Sequence, residues 1–235
     1  MKTLKEFLNI YFSEDSAKYY TFKSGMHDVH KRQNSAIFIN ETPVDLLFAG
    51  DSIIEGFNMQ MYFNQFGMLV NRGVGGEKII DIVNRWDLDV THLKPKVCFL
   101  CGGVNDLDYF NSDNIKAGVT LTIEIFDKFT DSLMPYYQKA IDKCKENGTK
   151  LIIGSATPLG VVDIRTDAII MLNKKIKALC EKNDIPFVDT FSKLTKQDGV
   201  TLIDCTNGDM IHLLGTAYNI YAEALMPYLR KAFNK

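Results

Sequence analysis

Along this chain of 235 residues the apolar positions change period repeatedly. Five short, nearly continuous apolar runs stand out: "VDLLFAG" (44–50), "MLVNRG" (68–73), "KVCFLCGG" (96–103), "KLIIGSAT" (150–157) and "IPFVDTF" (185–191). Runs this short that do not alternate with polar residues predict strands buried on both faces. Between them the period lengthens. "MQMYFNQF" reads as a helix-like or irregular stretch, and Ile79, Ile80, Ile82, Val83 and Trp86 recur at helical spacing in "KIIDIVNRWDLDVTHL". A long helical region is expected from about Ser112 to Asn147, with Pro135 interrupting or restarting it because proline removes an internal helix bond. "KIKALCEKN" closes a further helix, and a final one is expected from about Thr216 to Phe233. Strands alternating with helices predict an α/β fold: a parallel sheet, helices on both faces and right-handed crossovers.

No repeat, low-complexity tract or Gly/Ser linker divides residues 44–235, which read as one domain. Residues 1–43 fit the pattern less well. "LKEFLNIYF" is apolar at helical spacing, and the stretch that follows is polar with scattered aromatics. One or two helices on the outside of the sheet are expected there, with a lid or a homodimer contact as the functional alternative. His27 and His30, three residues apart, read as a solvated helix face, since no carboxylate or cysteine pattern completes a metal site.

Composition narrows the function classes. The chain is 46% hydrophobic and 24% charged with a formal net charge of -2. That is an ordinary soluble balance, and it offers no basic stripe for nucleic acid. The longest apolar runs are too short for a membrane span. The start, "MKTLKEFLNIYFSEDS", lacks an apolar secretory core, so a cytoplasmic location is expected. Five cysteines stand at 98, 101, 144, 180 and 205. The C-x-x-C of Cys98 and Cys101 lies inside a strand-like run, without partners for a zinc site, and reads as buried thiols.

The candidate chemistry begins where the first run ends, in "GDS" (50–52). Ser52 stands at the carboxyl end of a strand, where open α/β sheets place their reacting groups. Asp or Ser could equally do no more than cap the next helix. A nucleophilic serine needs a base, an orienting acid and oxyanion donors. His212 lies before the last helix with Asp209 three residues earlier, a spacing that suits base and orienting acid but also a simple helix cap. His92, near Pro95, reads as surface. Two glycine-bearing loops, "NRGVGGEK" (71–78) and "GGVNDLDY" (102–109), follow the second and third runs. Their backbone N–H groups, and the amide of Asn105, are suitable donors to a developing oxyanion; ordinary turn glycines and caps are the plainer alternative. No phosphate-binding G-x-G-x-x-G or G-x-x-x-x-G-K-[ST] occurs, nor a G-x-S-x-G elbow.

Taken in order, GDS, the glycine of "NRGVGG", G-x-N-D (103–106) and D-x-x-H (209–212) resemble the SGNH, or GDSL, hydrolase superfamily. The branch most similar is that of platelet-activating-factor acetylhydrolase-like bacterial esterases. The resemblance covers roughly residues 44–233. It implies a single three-layer α/β/α domain with a flavodoxin-like five-stranded parallel sheet. It implies Ser52 as nucleophile, His212 as base and Asp209 as its orienting acid. The implied oxyanion hole comprises the Ser52 and Gly76 N–H groups and the Asn105 side chain. No cofactor or metal is implied, and the substrate is a small-molecule or carbohydrate ester of a short, acetyl-type acid. A lysophospholipase or thioesterase with the same triad, or a catalytically silent binding module, are the alternatives. Two departures stand out. Ile53 replaces the leucine of GDSL, and Glu77-Lys78 follows the glycine pair where that branch often has Asp-Thr.

Overall fold

A computed structural model of the chain describes residues 19–196 and 206–234. The expected helix over "LKEFLNIYF" and the fifth cysteine, Cys205, lie outside the described residues. Each apolar run contains a strand: β1 (Leu46–Gly50), β2 (Leu69–Gly73), β3 (Val97–Cys101), β4 (Lys150–Gly154) and β5 (Phe187–Val188). They form one parallel sheet in the order β2-β1-β3-β4-β5. The strands are shorter than the runs because the chain leaves the sheet early. Ser155, for example, bonds through its hydroxyl to Thr190 (3.0 Å) and accepts the Phe191 N–H (2.8 Å).

Side chains alternate across the pleat, so each strand feeds two cores. Leu47, Ala49, Val70, Cys98, Leu100, Leu151 and Ile153 face one side. There they are covered by α4 (Ile79–Asn84), α5 (Val104–Lys116), α6 (Ile123–Asn147) and α7 (Ile164–Asn183). Leu46, Phe48, Val97, Phe99, Cys101 and Ile152 face the other side. The covering elements are α2 (Ser52–Glu55), α3 (Met59–Phe63), α8 (Phe191–Leu194) and α9 (Gly215–Phe233). The result is the three-layer α/β/α arrangement of the SGNH fold. Cys98 and Cys101, three residues apart on one strand, consequently face opposite cores as buried free thiols.

The long helical region is two helices, α5 and α6, broken at 117–122 rather than at Pro135. Pro135 sits inside α6, which runs uninterrupted for 25 residues. Both Pro135 and Asp131, whose carbonyl loses its partner, are exposed, so water can satisfy the orphaned group. Pro227 is carried in the same way on the solvent side of α9.

Ahead of the sheet lies α1 (Gly25–Ile39), capped by the Ser24 hydroxyl, which accepts the Met26 N–H at 3.2 Å. Its buried residues are His27, His30 and Asn34, so the two histidines are not a solvated face. Burial pushes the His30 imidazole down to about 3. The unfolded chain therefore takes up a proton near the ordinary histidine pKa of about 6.5, which the folded chain refuses until much lower pH. His30 thus removes stability progressively as pH falls from about 6.5 toward 3. Burial of Asp51 and Asp106 raises their carboxyls to about 7 and about 6 and acts in the opposite direction, so the test must be differential. Urea melts at pH 8 and pH 5 are expected to show His30→Gln losing less stability on acidification than the wild type; equal losses would remove His30 from the account.

Candidate active site

The register sets the stage. Gly50 pairs with both Gly73 and Cys101, so the carboxyl ends of β2, β1 and β3 are flush and their three following loops share one rim. On the first loop the Asp51 carboxylate accepts the Ile53 N–H at 3.0 Å, capping α2, a helix of a single turn. Asp51 is buried and spent on structure. Ser52, the first residue of that turn, is left at the rim, half-buried.

Its partners come from the opposite end of the chain. Residues 206–213 form a tight loop before α9, closed by a bridge between Thr206 and Leu213 and by the Asn207 N–H donating to the His212 carbonyl (3.0 Å). Within it the Asp209 Oδ1 accepts the backbone N–H groups of Ile211 and His212, both at 2.9 Å. This leaves Oδ2 to meet His212 Nδ1 at 2.6 Å. The other imidazole nitrogen, Nε2, lies 2.9 Å from Ser52 Oγ. The His212 hydrogen bond and the backbone donors hold the Asp209 carboxyl well below the usual carboxylate range, although the residue is exposed. Serine, histidine and aspartate therefore form one continuous chain of hydrogen bonds.

The loop is aimed from outside. Met210 adopts a left-handed φ of 67°, and its carbonyl accepts the Gly160 N–H at 2.6 Å. A Cβ at Gly160 would stand 2.4 Å from Met210 Cβ and 2.7 Å from its carbonyl oxygen. Backbone cannot yield to that without moving His212. Gly160→Ala is thus expected to cost on the order of 10²-fold in kcat, as for other displacements of about 1 Å near a reacting centre. Thermal melts alongside ester turnover check this: a variant with wild-type kcat would show that the loop is not held from Gly160.

The second loop lies against Ser52. The Gly75 N–H donates to the Glu55 carboxylate at 2.5 Å, and the Gly75 side of the turn packs on Ser52 Cβ. The next residue, Gly76, has a left-handed φ of 82°, and a Cβ there would stand 3.1 Å from both the Phe22 ring and the Tyr109 hydroxyl. From the third loop, Asn105 Nδ2 donates to the Glu77 carbonyl at 2.9 Å. An amide has two N–H donors, so this bond fixes the plane in which the second is presented. The Ile79 N–H donates to Asp106 at 2.9 Å and ties the same two loops a second time.

Beneath the rim lies a buried polar cluster that the sequence reading missed. Arg85 donates to Glu77 Oε2 at 2.7 Å and to Asp89 at 3.0 Å, and its remaining N–H reaches the carbonyls of Gly50 and Arg72. Burial alone would push Asp89 up and Arg85 down, but the Arg85 charge outweighs it at Asp89 and lowers that carboxyl, while Glu77 and Asp89 together raise Arg85. Arg72 is buried too and donates to Gln33 and Asn34 of α1. Removing one member of such a set strands a buried charge, typically at ~3–5 kcal/mol. Among the described residues no group of three or more His, Cys, Asp or Glu side chains is placed to hold a metal.

Residues 48–220 match the model of the GDSL-like lipase/acylhydrolase family. No functionally curated protein matches the chain. Among solved structures it is similar to a GDSL-like lipase from Bacteroides thetaiotaomicron, at 22% identity and a TM-score of 0.70, over 87% of this chain and 97% of that one. A Streptococcus pneumonia protein provisionally described as a platelet activating factor gives 22% and 0.70, over 86% and 91%. An acetylxylan esterase from Geobacillus stearothermophilus gives 20% and 0.58, over 80% and 94%. At these identities the neighbours speak for the fold.

Proposed function

Because the chain belongs to the GDSL-like lipase/acylhydrolase family, and with it to the carboxylic ester hydrolases, we propose that it is a serine esterase cleaving short acyl esters, acetyl esters foremost, of a sugar or other small polyol. The observation that carries this reading is the unbroken Ser52–His212–Asp209 chain of hydrogen bonds at 2.9 and 2.6 Å.

In this reading His212 Nε2 takes the Ser52 proton as Oγ attacks the ester carbonyl, and Asp209 holds the Nδ1–H tautomer and the imidazolium that forms. The oxyanion is received by the N–H groups of Ser52 and Gly76 and by the Asn105 amide. His212 then gives its proton to the leaving alcohol. Water enters, loses a proton to His212 and releases the acid from Ser52.

Two features favour a small acyl group on a polar alcohol. Phe22 and Tyr109 crowd Gly76, each 3.1 Å from where a Cβ there would stand. Tyr109 also borders a cleft of about 320 Å³ whose wall is largely apolar, from Ile80, Phe110, Phe129 and Leu133, with Lys78 and Asp113 beside them. Aromatic faces next to charged groups can seat a sugar ring. The acetylxylan esterase neighbour points the same way. Four buried free thiols, Cys98, Cys101, Cys144 and Cys180, suit a reducing, cytoplasmic setting.

Fluorophosphonate labelling with intact mass and peptide mapping tests the proposal. One adduct is expected, on Ser52, together with faster turnover of acetyl than of octanoyl esters. A folded wild-type protein that takes no label would instead be a binding module on this fold.

A further inference from the structure

Glu77 is where the amino-terminal segment meets the rim of the site. Its carboxylate is held from one side by Arg85 and from the other by His27, whose Nε2 lies 2.8 Å from Oε1. Both side chains of the His27–Glu77 pair are buried, at 5% and 1% exposure. The same residue's backbone carbonyl accepts the Asn105 amide, and the preceding residue is Gly76. Whatever fixes Glu77 therefore fixes the direction of two of the three oxyanion donors.

His27 is itself held by its own segment. The Tyr20 ring packs on the imidazole with centroids 4.6 Å apart. The Thr21 hydroxyl donates to Asp81 at 3.0 Å and ties the strand-like lead-in to α4. Phe22 reaches over Gly76, its ring edge 3.1 Å from where a Cβ would stand. Segment 20–27 thus crosses the glycine loop from outside while His27 grips the loop from beneath.

We propose that the amino-terminal segment is a positioning element of the oxyanion hole, with His27 as its positioning residue acting through Glu77 on Gly76 and Asn105. This rests on the acyl-transfer reading for its catalytic consequence but not for the mechanical coupling. Arg85 meets both carboxylate oxygens, at 3.0 and 2.7 Å, from the α4 side alone; His27 adds a contact to Oε1 from α1, so the carboxylate is held between two elements rather than carried by one. The contact is specific to a long carboxylate. Glu77 is long enough to reach both Arg85, just past the end of α4, and His27 of α1.

The test compares His27→Asn with His27→Gln, two polar replacements of which only the longer can donate to Glu77. On p-nitrophenyl acetate His27→Asn is expected to lower kcat by ~10- to 10²-fold with KM little changed, and His27→Gln to restore most of it. In an Asn105→Ala background the further loss from His27→Asn should shrink to the part carried by Gly76, since the Asn105 donor is already gone. Amide exchange over residues 74–78 should quicken in His27→Asn and not in His27→Gln, a readout that needs no turnover. Unchanged exchange overturns the proposal, as does a kcat loss of equal size in both backgrounds. If the wild type turns over no ester, the esterase reading fails, and exchange alone decides whether His27 holds the loop.

Discussion

Ser52→Ala and His212→Ala are each expected to lower kcat by ~10⁶, and the double variant to be no worse than either alone, as for groups that act as a unit. The reason lies in the geometry. Ser52 Oγ has its base 2.9 Å away, and without either partner no proton is taken from the attacking oxygen. The proposed oxyanion donors are expected to remain in each variant, because the glycine loop and Asn105 are held by Glu55, Glu77, Arg85 and His27, none of which touches the hydrogen bonds among Ser52, His212 and Asp209. A residual rate above water is therefore expected, of the order of 10³-fold. Measurement of kcat for the two single variants and the double decides the matter. Losses that multiply would mean that serine and histidine act in separate steps, and an active Ser52→Ala would move the nucleophile elsewhere.

Asp209→Asn is expected to cost ~10⁴ in kcat, far more than so small a change in shape suggests. Oδ1 is engaged by two backbone N–H groups, so an asparagine must keep its carbonyl oxygen there. Its amide then faces His212 Nδ1 and donates where the carboxylate accepted. The imidazole is forced into the Nε2–H tautomer, which cannot take the serine proton. Asp209→Ala removes two backbone partners as well as the carboxylate, yet leaves the ring free to choose its tautomer. Asparagine should therefore be the slower variant, with a far-ultraviolet spectrum and melting curve close to wild type. If alanine is slower, Asp209 serves the loop more than the imidazole.

These expectations rest on residues legible in the sequence, and the reason is local. Ser52, Asn105 and the Asp209–His212 pair each follow an apolar run or precede a helix, and a parallel sheet gathers such positions on one rim. The five strands were legible because each runs apolar on both faces. The amino-terminal segment was not. Hydrophobic periodicity has no sign for a helix whose inward face is His27, His30 and Asn34, since those residue types normally mark the solvent side. Glu77 was visible only as a departure from a family pattern, and its partners lie 50 residues back and 8 residues on. The continuity of α6 through Pro135 was also hidden, because it depends on which side of the helix faces water. Pro227, on the exposed side of α9, obeys the same condition.

The order of strands and helices has a consequence for synthesis. Ser52 and the histidine beside it are 160 residues apart, so at ordinary translation rates of ~5–20 residues per second roughly 10–30 s separate their appearance at the ribosome. Throughout that interval the sheet face bearing Phe48 and Phe99 lacks α9, whose Tyr221, Leu225 and Leu229 will cover it. The nascent chain therefore carries the Ser52 turn without its histidine, and an open aromatic surface of the kind chaperones bind. The last helix closes the core, and the loop before it brings His212 to the serine, so in the proposed mechanism activity waits on the final segment of the chain.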